Sequence, residues 1–249
     1  MPLLACGSGS APVATVRRSG YPLPVPRESH AAKSARIARI IAGLEAAYPG
    51  AHCELTFSSP LELLVATILS AQCTDRQVNL VTEGLFRRYR TAHDYAEAPS
   101  ADFAQAIRRI GLFRNKAKNI QSTCRTLLER HGGEVPRTMD ELTALAGVGR
   151  KTANVVLGTA FGIEVGIVVD THVARLSRRL GLTRETDPVK IETALMKRVP
   201  RGRWTSFSHQ LIWHGRRRCG ARNPDCAGCE IRNLCPSADI VAITPPSRS

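Results

Sequence analysis

Residues 145–175 read LAGVGRKTANVVLGTAFGIEVGIVVDTHVAR, and the rest of the chain is organised around them. Gly147 and Gly149, one residue apart, let the backbone take positive φ and lie close against a partner. A helical run from Arg150 to Phe161 follows at once, so the turn feeds a helix N-terminus. Such a terminus presents unpaired N–H groups and a partial positive charge, which together hold a phosphate. Arg150 and Lys151 sit in that first turn, where the macrodipole disfavours cations, so two of them there mark an anion site. An amine so placed is also a usable nucleophile at neutral pH. The chain holds six lysines against 29 arginines, so a lysine beside Arg150 reads as chemical rather than merely basic. The competing reading of the motif alone is a solvated helix start with ordinary basic residues.

Asp170 tips that balance. It follows the apolar run Ile167-Val168-Val169 and precedes a helical pattern, Thr171 to Leu180, so it suits an N-cap. A capping aspartate keeps a second oxygen for other work. An amine and a carboxylate facing one space are what Schiff-base chemistry at a sugar carbon requires. The amine attacks, and the carboxylate steadies the developing positive charge and helps move protons.

LAGVGRKTANVV followed by VVDTHVAR resembles the helix-hairpin-helix DNA glycosylases, most closely the endonuclease III branch. The likeness runs from about Ser34 to about Ile240 with the motifs in uninterrupted order. Ala146 departs from the family, which usually has proline before the first hairpin glycine; this touches hairpin rigidity and not the chemistry. The resemblance implies a bifunctional DNA N-glycosylase/AP lyase of base excision repair. Its substrates would be oxidised or ring-saturated pyrimidines and abasic sites in double-stranded DNA. Lys151 would displace the base through a Schiff base, Asp170 would assist, and β-elimination would break the strand 3′ to the abasic sugar. A monomer working in the bacterial cytoplasm, at the nucleoid, is the corresponding expectation.

A net charge of +14 over 249 residues independently asks for a polyanionic partner and salt-sensitive binding. Charge alone does not separate DNA from RNA or an anionic membrane. No apolar run approaches the roughly 20 residues that span a bilayer, so no membrane role is expected. Aromatic residues make up 5% of the chain, which argues against a single-strand binder built from stacking platforms.

Residues 1–33 read as a flexible basic and Pro-rich tail, in which Arg17, Arg18 and Arg27 are candidates for extra non-specific DNA affinity. From Lys33 onward nearly every periodic segment is helical. Ile37, Ile40, Ile41 and Leu44 form a stripe ended by Pro49-Gly50, and Pro60 opens a second helix. Further helices fit residues 75–90, 100–110, 115–131, 139–145, 150–161, 171–180, 188–199 and 203–214. The class is therefore all-α. By the resemblance, 54–164 form a bundle carrying the hairpin motif, about 139–161. Segments 34–53 and 165–240 form an iron–sulfur lobe, 241–249 a C-terminal tail, and the DNA cleft lies between the lobes.

Ser70-Ala71-Gln72-Cys73-Thr74-Asp75 lies where one helix stops and another starts. A loop glutamine has donors and acceptors to fill the hole left by an extruded base, though alone it is an ordinary polar loop residue. Gly111-Leu112-Phe113 puts an apolar residue on a glycine turn, either as a wedge between bases or as one more core leucine. The resemblance assigns Gln72 the gap-filling role and Leu112 the wedge. His172, next to the Asp170 cap, is a candidate DNA contact, with a structural histidine as its rival.

Eight cysteines are spread unevenly: Cys6, Cys53, Cys73 and Cys124 stand apart, while Cys219, Cys226, Cys229 and Cys235 crowd together. With no secretory signal, reduced thiols or metal ligands are expected rather than disulfides. The C-x6-C-x2-C-x5-C spacing by itself leaves tetrahedral zinc and an iron–sulfur cluster both open. The resemblance implies a 4Fe-4S cluster with a structural and DNA-docking role, and makes Arg222 in its first loop a candidate phosphate contact.

Overall fold

The computed structural model describes residues 28–238; the expectations for residues 1–27 and 239–249 lie outside the described residues. Eleven α-helices and one 3-10 turn make up the ordered elements, and the described residues contain no strand. The all-α expectation holds. In chain order the helices are α1 His30–Ala47, α2 Pro60–Ser70, α3 Asp75–Arg88, α4 Ala92–Glu97, α5 Ser100–Ala106 and α6 Phe113–His131. They continue with α7 Met139–Thr143, α8 Arg150–Phe161, α9 Thr171–Arg179, α10 Pro188–Met196 and α11 Trp204–Arg217. The 3-10 turn is Arg232–Leu234.

Local chemistry sets most of the boundaries. Ser59, Thr74, Thr138, Asp170 and Asp187 each cap a helix by accepting a backbone N–H onto a side-chain oxygen. Gly132 and Gly162 end α6 and α8 in the left-handed region, which glycine enters without a Cβ clash. Two departures from expectation have local causes. Helix α1 starts at His30, inside the stretch read as tail, because the Ser29 hydroxyl accepts the Ala32 N–H. Helix α4 is absent from the expected set, since six residues show no period, yet Thr91 and Asp94 close a full capping box around it.

The apolar interior divides into two clusters. One gathers side chains from α2 to α8, with Tyr95, Phe103, Leu63, Leu64 and Ile120 fully buried. The other joins α1 to α9, α10 and α11, around Ile40, Leu44, Leu176, Phe207 and Leu211. Ile167, Val168 and Val169 carry the chain from the first cluster to the second. Their side chains alternate as an extended backbone requires: Val168 goes to the first core, Ile167 and Val169 to the second.

Candidate active site

Gly149 caps α8 in an extended conformation, and no side chain accepts the first N–H groups of that helix. Those donors have no side-chain partner, the condition under which a helix N-terminus can take up an anion. Gly147 has φ 75°, and a Cβ placed there would sit 2.8 Å from Asn119 Nδ2, so both conformation and close packing demand glycine. The hairpin is seated on α6 by a second contact, in which the Thr123 hydroxyl donates to Ala146 O at 2.9 Å. Lys151, in the first turn of α8, is exposed.

The neighbouring cation is committed elsewhere. Arg150 donates from Nε and an Nη to the two carboxylate oxygens of Glu192, at 2.7 and 3.0 Å. Asn154, one turn on, donates to the same carboxylate at 2.9 Å. Glu192 is 4% exposed on α10, so the pair joins the hairpin helix to the second core. Gly166, where the chain crosses over, leaves the room this carboxylate fills: a Cβ there would lie 1.9 Å from Glu192 Oε1. Farther along the same face, Gly158 lets α8 approach α11, since its Cβ would meet Thr205 Oγ1 at 2.5 Å. Glu164 adds to the seam by accepting the backbone N–H groups of Gly202 and Thr205. The sequence places Arg150 at the anion site; the structure gives its guanidinium a carboxylate partner 42 residues away.

Asp170 is half-buried at the N-cap of α9, where its Oδ1 accepts from Val173 N at 2.8 Å. The segment entering it is fixed by the Ser208 hydroxyl, which accepts from Val168 N at 3.1 Å. His172 turns toward α11: its Nδ1 lies 3.2 Å from an Arg175 nitrogen, and a Cβ on Gly215 would touch it at 2.9 Å. Burial pulls its imidazole below the ordinary histidine range, against the opposing pull of Asp170. Arg175 then reaches on to Gly215 O and Cys219 O, at 2.9 and 3.0 Å.

Gln72 and Leu112 are both exposed, Leu112 to 60%. They are also the two non-glycine residues with positive φ among the described residues, at 54° and 58°. Extended or turn backbone would serve an ordinary loop; holding bulkier residues left-handed needs support from around them. Ion pairs across the seam close beside the Gln72 loop. Arg216 of α11 pairs with Asp75 at 2.8 Å and with Glu54, and Arg217 pairs with Glu54 at 3.2 Å. Asp75 opens α3 directly after the Gln72 loop.

Cys219, Cys226, Cys229 and Cys235 line one cavity together with Arg179, His214 and Arg218. Arg179 donates to Cys219 Sγ at 3.2 Å and to the carbonyls of Gly220 and Ala221 at 2.7 and 2.8 Å, which pins the first cysteine loop. His214 Nε2 lies 3.7 Å from Cys229 Sγ, and its other ring nitrogen meets the Tyr48 hydroxyl at 3.0 Å. Burial raises the Cys226, Cys229 and Cys235 thiols above their ordinary range, and neighbouring thiols push the same way. Such a set becomes comfortable as thiolates only around a cationic centre. Among the described residues no three His, Cys, Asp or Glu side chains are grouped to hold a single metal ion. Four thiols spaced around a shared cavity, with arginine N–H donated to sulfur, fit a thiolate-bound iron–sulfur cluster. Arg222, in the pinned loop, is exposed.

Sequence reading does not find Glu192, Lys116, Asn119, Thr123, Arg175 or Arg216. Only Lys116 has a local signal, since it follows closely on the glycine turn that carries Leu112; the others are chosen by packing.

Residues 65–201 match the family described as HhH-GPD superfamily base excision DNA repair protein. Endonuclease III of Synechocystis sp. is 54% identical over 208 residues, which covers 84% of this chain and 95% of that protein. Two solved structures share 47% identity with the chain. A non-covalent endonuclease III–DNA complex superposes with a TM-score of 0.81, covering 85% of this chain and 99% of that one. A trapped endonuclease III–DNA covalent intermediate, an estranged-adenine complex, superposes with 0.80, covering 83% and 97%.

Proposed function

The chain belongs to the HhH-GPD superfamily of base excision DNA repair proteins and, within it, to the endonuclease III family, and on that footing we propose that it is a DNA glycosylase and abasic-site lyase with Lys151 as nucleophile and Asp170 as its carboxylate partner. The observation that carries the reading is the start of α8: uncapped N–H groups on a glycine hairpin, with an exposed lysine in the first turn. That turn grips a phosphate and holds an amine beside it.

The reaction begins with a damaged pyrimidine rotated out of the duplex. Leu112 parts the stack, and Gln72 fills the vacancy opposite. The Lys151 amine bonds to the sugar C1′ as the C1′–base bond breaks, and the base leaves with the bonding pair and a proton. Asp170 faces the positive charge that builds at C1′ and relays protons while the sugar ring opens to an imine. The imine makes the C2′ proton acidic; its removal expels the 3′ phosphate, and water then frees Lys151. Asp170 serves as cap and catalyst together, since Val173 N occupies only one of its oxygens.

The hairpin N–H groups, with Gly147 and Gly149, hold the backbone phosphate. Arg150 contributes there chiefly by locking α8 against α10 through Glu192. Arg222 adds a phosphate contact from the cysteine loop, and His172 orders the start of α9. The two apolar clusters correspond to the two lobes, 54–164 in one and 34–53 plus 165–238 in the other, with Cys53, Val165 and Val168 at the boundary packing on the first. Cys219, Cys226, Cys229 and Cys235 would hold a 4Fe-4S cluster, which would supply a core for a segment too short to build one. By the family reading we assign the protein as a monomer acting in the cytoplasm on nucleoid DNA.

Incubation with a duplex bearing one abasic site tests this. The wild type should break the strand, and Lys151→Gln should bind the duplex without breaking it. Loss of binding together with cleavage would make Lys151 a phosphate clamp and nothing more.

A further inference from the structure

Lys116 is 5% exposed, in the first turns of α6, and among the described residues no carboxylate pairs with it. Its ammonium donates to Leu69 O at 2.9 Å and to Ala71 O at 2.6 Å. These are carbonyls at the end of α2, where the helix has run out of its own donors. Ala71 immediately precedes Gln72. The backbone of the same lysine donates to Leu112 O at 3.1 Å. The lysine side chain thus ties the end of α2, beside Gln72, to the first turn of the helix that Leu112 caps. The arrangement continues along the helix. Lys116, Asn119 and Thr123 are spaced three and four apart on α6, so they share one face, and Leu112 is the N-cap residue just before them. Asn119 packs on Gly147 and Thr123 holds Ala146. Helix α6 is therefore a single ruler against which wedge, gap-filler and hairpin are all set.

We propose that Lys116 is a positioning residue that fixes the spacing between Gln72 and Leu112, so that both enter a duplex in register. The proposal rests on the reading of those two residues as the ones that enter DNA. A purely structural lysine would affect every substrate alike. A positioning lysine matters only where there is an opposite base and a stack to part, and a single strand offers neither.

The test compares Lys116→Met with wild type in single-turnover cleavage of an abasic site, in a duplex and in a single-stranded oligonucleotide. The expected loss on the duplex is at least about fivefold greater than on the single strand, the equivalent of roughly 1 kcal/mol in the barrier. A smaller difference, including equal losses on both, overturns the proposal. Should Lys116→Met not fold, Lys116→Gln, whose shorter amide cannot reach both carbonyls, is judged by the same ratio. Gln72→Ala and Leu112→Ala separate the two levels of the argument. If both keep the wild-type duplex rate, the reading of those residues fails and this inference with it. If either slows the duplex reaction while the Lys116 variant shows no difference between substrates, only the inference fails.

Discussion

Substituting Gly166 by alanine should break the contact that locks the hairpin helix to the second core. The new Cβ would stand 1.9 Å from Glu192 Oε1 and 2.8 Å from both terminal atoms of Asn154. The carboxylate is the end of a flexible side chain, but it is held by Arg150 twice and by Asn154, so it cannot retreat freely. Moving it leaves the Asn154 amide, 4% exposed, without its acceptor. An unsatisfied buried donor costs about 1–3 kcal/mol. The Arg150 side chain is 44% exposed and recovers water, so its share is discounted to roughly 1 kcal/mol or less. Together the loss is about 1–4 kcal/mol, or roughly 2–16 °C in Tm for a chain of this size. Glu192→Ala should lose a similar amount, because it empties the same contact. The double variant should lose clearly less than the sum of the two, since without the carboxylate the methyl at Gly166 displaces only the uncharged end of Asn154, 2.8 Å away. Thermal unfolding of the four proteins followed by circular dichroism reads this. Losses that simply add would refute the reasoning, as would a Gly166→Ala protein within about 1 °C of wild type.

Three further outcomes follow from the same geometry. Asp170→Asn should keep the α9 cap and the wild-type Tm while losing cleavage, whereas Asp170→Ala should also lose about 1 kcal/mol of stability; equal Tm values for the two variants would separate the residue from its capping role. Burial pushes the His209 imidazole down to about 4 from an ordinary 6.5, so between those values the unfolded chain binds a proton that the folded chain refuses. Stability is then complete above about pH 6.5 and falls toward pH 4 by roughly 1.4 kcal/mol per unit, a slope that His214 shares and that His209→Gln should make shallower. Parallel Tm–pH curves for variant and wild type would contradict this. Protein purified in air should be yellow-brown with about four iron atoms per chain, and Cys229→Ser should lose colour and iron together; a colourless, zinc-loaded protein with full activity would remove the cluster.

What can be read from the sequence is local. The hairpin glycines, the Lys151 turn and the Asp170 cap lie within 24 consecutive residues, and each owes its conformation to its immediate neighbours. Helix periods and caps place most elements for the same reason, and α4 escapes because a capping box around six residues brings no period with it. The Arg150–Glu192 lock is invisible, since two lobes must pack before an acid on α10 meets the hairpin. Lys116 is hidden differently: a lysine in an amphipathic helix ordinarily reaches water, and only the end of α2 beside it makes burial tolerable. The left-handed backbone of Gln72 and Leu112 gives no warning, because neither is a glycine or an asparagine.

The central claim is that one particular amine forms an imine with deoxyribose. Borohydride reduction during turnover on an abasic duplex, followed by proteolysis and mass mapping of the trapped peptide, tests it directly. The account predicts the sugar on Lys151, in the peptide that follows Arg150. An adduct on any of the other five lysines or on the N-terminal amine, or no adduct while strands are cleaved, would contradict it.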